Sequence, residues 1–119
     1  MAIAVNYTKL ARYVTKSERH LPKEKQTVYL LKPRSLAGGC AVAVAFKESS
    51  YHGMIAQLRY TLAGWENLLK RDGAPAQFKT DQAGLATEES IGLVPESDRQ
   101  ELAFGDEIER ALTEADLGN

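Results

Sequence analysis

The sequence predicts a mainly α-helical single domain with a small N-terminal β element, an α+β fold with an extended N-terminal arm. Three observations carry that expectation. The 119 residues match one domain, since chains hold roughly 100–200 residues per domain. Residues 26–32 read Gln-Thr-Val-Tyr-Leu-Leu-Lys, rich in the β-branched and aromatic side chains that suit a strand. Two later segments space their apolar residues by three and four, the repeat of a helix face. An apolar share of 44% and a charged share of 26% fit an ordinary soluble domain that can bury a modest core without disulfides or metal.

Residues 1–25 read as the extended arm. Tyr7, Leu10, Tyr13 and Val14 are mixed with polar and charged residues without a firm period, which leaves room for one short helical turn near 8–14. The strand at 26–32 opens a core spanning 26–113, and Pro33 ends it because proline cannot donate to a ladder. Ser35 is a suitable N-cap for a helix starting just after it. Residues 40–46 read either as a second strand paired with the first or as the interior of a buried helix. Their alanine and cysteine content favours helix, while Gly38-Gly39 reads as a turn ahead of a buried segment.

The strongest periodicity covers residues 51–70, where Met54, Ile55, Leu58, Leu62, Trp65, Leu68 and Leu69 fall on one face of a single helix. Gly64 inside it costs about 1 kcal/mol against alanine and implies a close backbone contact. Lys70 and Arg71 fall in the last turn, where they complement the helix dipole. Asp72-Gly73-Ala74-Pro75 then breaks the chain, and Phe78 lies in an extended piece folding back over the helix. Residues 80–95 read as a loop with a short helix near 80–90. Ser97 and Gln100 fit a capping box at the start of a helix that carries Leu102, Phe104, Ile108, Ala111 and Leu112 to about Thr113. Gly105 weakens that helix, and residues 114–119 form a frayed tail.

Several chemistries lack their residues. His20 and His52 lie in no metal-ligand spacing, so no metal and no cofactor is expected. No Gly-x-Ser-x-Gly elbow occurs, and Gly38-Gly39 is followed by neither the lysine nor the Ser/Thr of a phosphate loop, so no catalytic residue is assigned. The one cysteine, Cys40, sits among Ala and Val and reads as a small buried side chain in a reducing compartment. The apolar start at residues 1–5 is too short for a signal-peptide core, and the longest apolar run, 40–46, is far below the roughly 20 residues that span a bilayer. The expected compartment is the cytoplasm. Net charge is −1, yet it is unevenly laid out: residues 1–71 carry 12 Lys/Arg against 4 acids, a net +8, and residues 72–119 carry 3 against 12, a net −9. Lys23, Lys25, Lys32 and Arg34 read as phosphate contacts or as a solvated arm; interleaved Glu24 and Pro33 favour the arm, which disfavours nucleic acid as a partner.

Three ordered motifs carry a resemblance. The arm ends in Gln26-Thr27-Val28-Tyr29-Leu30-Leu31-Lys32-Pro33. Leu62-Ala63-Gly64-Trp65-Glu66-Asn67 is followed by Asp72-Gly73-Ala74-Pro75-Ala76-Gln77-Phe78. An acidic amphipathic segment ends in Leu112-Thr113-Glu114-Ala115-Asp116, with Asn119 the last residue of the sequence. Together they resemble the tail assembly chaperones of siphovirus-like bacteriophages and prophages. The uncharged 38–46 stretch departs from the charged helix found after the Lys-Pro motif in that family.

The resemblance implies a non-catalytic protein that coats the tape-measure protein, keeps it soluble, and recruits subunits of the major tail protein in the host cytoplasm. The alternative is a structural virion protein, for capsid decoration or head–tail joining, with a small nucleic-acid-binding protein ranking behind it. A helical partner needs an apolar groove or stripe, and the candidate partner-binding residues are Trp65, Leu58, Leu62, Phe104 and Ile108. Trp65 reads two ways: as a core anchor beside Leu62 and Leu69, or as a partly exposed hot spot. The charge split fits a homo-oligomer stacked through oppositely charged faces.

Overall fold

Within the segment expected to form an extended arm, a strand stands where a short helical turn near 8–14 was expected. A computed structural model describes Ala2, Ala4 and residues 9–117; Tyr7, Thr8 and Asn119, which belong to the expected arm, helical turn and tail, lie outside the described residues. Ala11–Tyr13 forms β1 and pairs antiparallel with β2, Val28–Leu31, with Ala11 opposite Leu31 and Tyr13 opposite Tyr29. Ala11 and Tyr13 are buried and Arg12 is exposed, so three residues suffice for a half-buried strand of period two. Two single-turn 3-10 helices, Lys16–Glu18 and Lys23–Lys25, connect it to β2. The connection is pinned by the Gln26 amide, which donates to the Leu21 carbonyl at 3.0 Å, and by Glu18, which accepts from the Thr27 amide at 2.7 Å.

The helix expected over 51–70 is also corrected. Helix α1 is Leu36–Glu48, helix α2 is Ser50–Thr61, and the next five residues, Leu62–Glu66, form β3 on the other edge of a sheet ordered β1-β2-β3. Leu62 lies opposite Leu31 and Trp65 opposite Tyr29, with the register shifting between Leu30 and Leu31. Directly opposed residues share a face, so the bulge sets Leu62 and Trp65 on the same face although they are three apart. In an unbroken strand that spacing would put them on opposite faces. A bulged strand therefore copies the step of a helix. Gly64 belongs to this irregular stretch, opposite Leu30, and Lys70 and Arg71 lie in a turn instead of a last helical turn.

Ser35 caps α1 as expected, its Oγ accepting from the Gly38 amide at 3.0 Å. Gly38 and Gly39 are inside that helix and form no turn. Their role is packing: a Cβ on Gly38 would lie 2.7 Å from the Tyr60 ring, and one on Gly53 of α2 would lie 2.5 Å from the Phe46 ring. Each helix thus offers a glycine notch to an aromatic of the other. Ser49 ends α1 and caps α2, accepting from the His52 amide at 3.0 Å.

After β3, Asn67 adopts φ 62°, and its side-chain amide donates to the carbonyls of Glu24 and Gln26 at 3.2 Å each. The expected turn comes next, with Gly73 at φ 85° and Asp72 accepting from the Ala74 amide at 2.9 Å. Helices α3, Glu88–Leu93, and α4, Glu96–Phe104, continue the chain. The N-cap of α4 is Pro95 and has no side-chain cap bond, so Ser97 lies in the first turn and makes no capping box. Gly105, extended at ψ 146°, divides the single helix expected here from α5, Ile108–Leu117. The expected frayed tail is thus helical as far as Leu117.

The core lies between the inner sheet face and helices α2 and α4: Tyr29, Leu31, Met54, Leu58, Leu62 and Leu102 are its largest fully buried side chains. Two phenols bind α4 to the sheet, Tyr29 donating to Asp98 at 2.7 Å and Tyr13 donating to Glu101. The result is a small α+β domain with a three-stranded antiparallel sheet and α1 as an outer layer on α2. Among the described residues, no helix is long and apolar enough to cross a membrane.

Candidate partner-binding surface

The five candidate partner residues scatter between core and surface. Leu58 and Leu62 are 0% and 1% exposed and Ile108 is 7% exposed, so the first two form core and cannot meet a partner without unfolding. Their helical spacing marked the buried face, the default meaning of such a stripe. Trp65 is half-buried against the core, meets Phe78 edge-on at 5.2 Å, and donates its indole N–H to the Ala76 carbonyl at 2.8 Å, while Leu69, expected beside it in the core, is 56% exposed. The segment around Trp65 is thus a bracket. Arg12 pairs bidentately with Glu66 at 2.6 and 2.8 Å, Asn67 holds the turn before β2, and Trp65 clasps the returning chain.

Phe104 alone of the five is presented outward, 47% exposed at the end of α4. It stands 5.7 Å from Phe46, which projects from α1 with 42% of its surface exposed. Beside this pair runs a groove of about 470 Å³ whose lining includes Phe104, Ile108, Leu112, Thr61, Gln57 and Arg34. Ile108 lines this groove although it is only 7% exposed.

Sequence reasoning missed most of the outward apolar surface. Leu36 is 84% exposed, Val44 63% and Tyr51 53%, and Cys40 is exposed instead of buried. Apolar composition suggested burial, yet α1 packs chiefly on α2 and leaves its outer side bare. One signal was present: no charged residue occurs from 36 to 46, so the helix has no polar side with which to face water.

The charge asymmetry along the chain is used in part within the molecule. Lys16 meets Asp106 at 2.8 Å and Glu107 at 3.4 Å, Arg19 meets Glu107 at 3.0 Å, and Arg59 meets Asp81 at 2.8 Å. Each pair joins the basic segment to the acidic one. Hydrogen bonds from Lys16 and Arg19, foremost among the causes, hold the Asp106 and Glu107 carboxyls below their ordinary range. Asp98 moves the other way: burial raises it, Glu18 and Glu101 add to the rise, and the Tyr29 bond opposes it. Burial likewise pushes both phenols upward, with their carboxylate partners adding to the effect. These hydroxyl–carboxylate pairs dock α4. Among the described residues, no group of three or more His, Cys, Asp or Glu is placed to hold a metal ion.

No protein-family model, curated protein or solved structure matches this chain.

Proposed function

We propose that this protein is a non-catalytic assembly chaperone of a siphovirus-like phage tail, binding an amphipathic helix of the tape-measure protein in the host cytoplasm and yielding it to the major tail protein. The observation that carries the reading is the Phe46–Phe104 pair, two aromatics left half in water beside a groove lined by Phe104, Ile108 and Leu112 together with polar Arg34, Gln57 and Glu109. Aromatic anchors next to a groove suit the i, i+3, i+4 side chains of an amphipathic helix. The ordered motifs of the sequence point to the same class. Arg34 and Glu109 on the groove lining offer one charge of each sign to a helix with a mixed polar face. The patch is small, which suits a partner that must later be released, because affinity follows a few anchors.

Co-expression tests this. A coiled-coil fragment of the tape-measure protein encoded beside this gene should stay soluble and co-purify with the wild-type chain. Phe104→Ser should lose most of that complex, since truncating an anchor typically costs about 2 kcal/mol or more, while its own melting temperature stays near wild type. A fragment that is equally insoluble with and without the wild-type chain would refute the proposal. Finding the protein in purified particles would favour a virion component instead.

A further inference from the structure

Helix α5 is seated on the molecule chiefly by one end. Ile108 in its first turn is buried, and Ala111, Leu112 and Ala115 are half-buried against the core. From Ile108 to Ala115, no hydrogen bond or ion pair reaches another element among the described residues. Arg110 pairs with Glu114 and the Thr113 hydroxyl donates to the Glu109 carbonyl, both inside the helix. A groove flanks α5 on either side: one of about 290 Å³, where Arg110, Ala111 and Glu114 face Arg12 and Val14, and the 470 Å³ groove beside Phe104. We infer that α5 is a strap, hinged at Gly105 and latched by the ion pairs of Lys16 and Arg19, that opens while the rest of the fold stays intact.

The latch has a fixed half and a moving half. On the fixed side, Arg19 donates from Nε to the Val14 carbonyl at 3.0 Å and lies over the Tyr13 ring, 5.4 Å from its centre. The Lys16 amide donates to Glu101 of α4 at 3.1 Å. None of these contacts involves α5, so the receiving side is built without it. On the moving side stand Asp106, 2.8 Å from Lys16, and Glu107, 3.0 Å from Arg19 and 3.4 Å from Lys16. All four side chains are partly exposed, so the pairs are weak and weaken further with salt. Gly105 supplies the corner. It ends α4 by donating its N–H to the Glu101 carbonyl at 2.7 Å, and a Cβ there would collide with that same oxygen.

Length and burial make the opening local. A helix of 10 residues is shorter than the roughly 12–15 that stay helical alone in water, so α5 unwinds once it lifts away. It leaves behind a core whose largest buried side chains, Tyr29, Leu31, Met54, Leu58, Leu62 and Leu102, all lie in the sheet, α2 and α4. A segment with few buried apolar contacts and water-exposed polar ones opens at a lower free energy than the whole fold. Opening takes Ile108, Glu109 and Leu112 out of the groove beside Phe104, so the latch decides whether that groove keeps one of its walls. The strap belongs to the free chain; only its consequence for a bound helix rests on the function proposed above.

Amide hydrogen exchange on the free chain tests the strap, with residues 111–117 of α5 read against the core amides of β2 and α2. In the wild type at low salt, the α5 amides should exchange about tenfold or more faster than the core set, through their own opening. Combining Lys16→Gln with Arg19→Gln should speed the α5 amides by about a further fivefold and leave the core set within about twofold. Raising salt from about 0.01 M to about 1 M, which cuts the Debye length from about 30 Å to about 3 Å, should speed α5 in the wild type and do little to the double variant. Exchange of α5 in step with the core under every condition would show that it opens only with the whole fold, and would overturn the strap. A fast α5 that neither the substitutions nor salt alters would overturn the latch. Both outcomes are independent of whether the chain binds a tape-measure helix, which the co-expression experiment decides.

Discussion

Asp98 shows how a single carboxylate can hold an element and still weigh against stability. It accepts from the Tyr29 phenol at 2.7 Å and so docks α4 on the sheet. Burial is nevertheless the largest influence on it, and with Glu18 and Glu101 nearby its carboxyl sits above its ordinary 3.8. A carboxyl raised on folding contributes stability at pH below its unfolded value and loses that contribution as pH climbs through the folded value. Asp98→Asn keeps an acceptor for Tyr29 and removes the charge. The variant should match the wild type near pH 3 and melt higher than it at about pH 7, the gap opening above 3.8. Asp106, Glu107, Glu66 and Asp81 are held low and make both proteins lose stability in acid, so the difference between the two melting curves isolates Asp98. A gap that stays constant with pH would contradict this account of the site.

At the scale of elements, the two glycine notches fix how α1 sits. With the Phe46 ring 2.5 Å from where a Gly53 Cβ would lie, Gly53→Ala must displace that ring or separate the helices. Overpacking of this kind costs about 1–3 kcal/mol, to be read from denaturant midpoints; a neutral result would show that α1 is free to shift on α2. The same elements show what the sequence made legible. β2 was readable because Val28 through Leu31 combine β-forming side chains with a proline stop, and the start of α1 because Ser35 caps it, while its interior stayed open between strand and helix because Gly38-Gly39 disfavour a helix. β3 was hidden by its bulge, which gave Leu62 and Trp65 the three-residue step of the helix before them. β1 was hidden by brevity, since its pairing with β2 is long-range and three residues carry little periodic signal. Of the candidate site, Phe104 was legible as an apolar residue on an amphipathic stretch. Phe46 was not, because composition reports apolarity and says nothing of which apolar helix is left on the outside.

Across the whole molecule, part of the split between a basic first part and an acidic second part is used within the fold. Lys16 and Arg19 receive the turn into α5, and Arg59 receives the loop at Asp81. Turned outward as well are apolar side chains: Leu36 and Val44 of α1 and the Phe46–Phe104 pair. The block around Trp65 and Asp72-Gly73 serves as architecture, through the Trp65–Ala76 bond and the Asp72 turn. On the function proposed here, recognition lies on the outer helices and not in that block. Amide hydrogen exchange on the chain, alone and with a soluble tape-measure fragment, tests it directly. The account predicts slowed exchange across residues 42–48 and 101–112 and no change across 62–78. Protection centred on 62–78, with the outer helices unchanged, would contradict it.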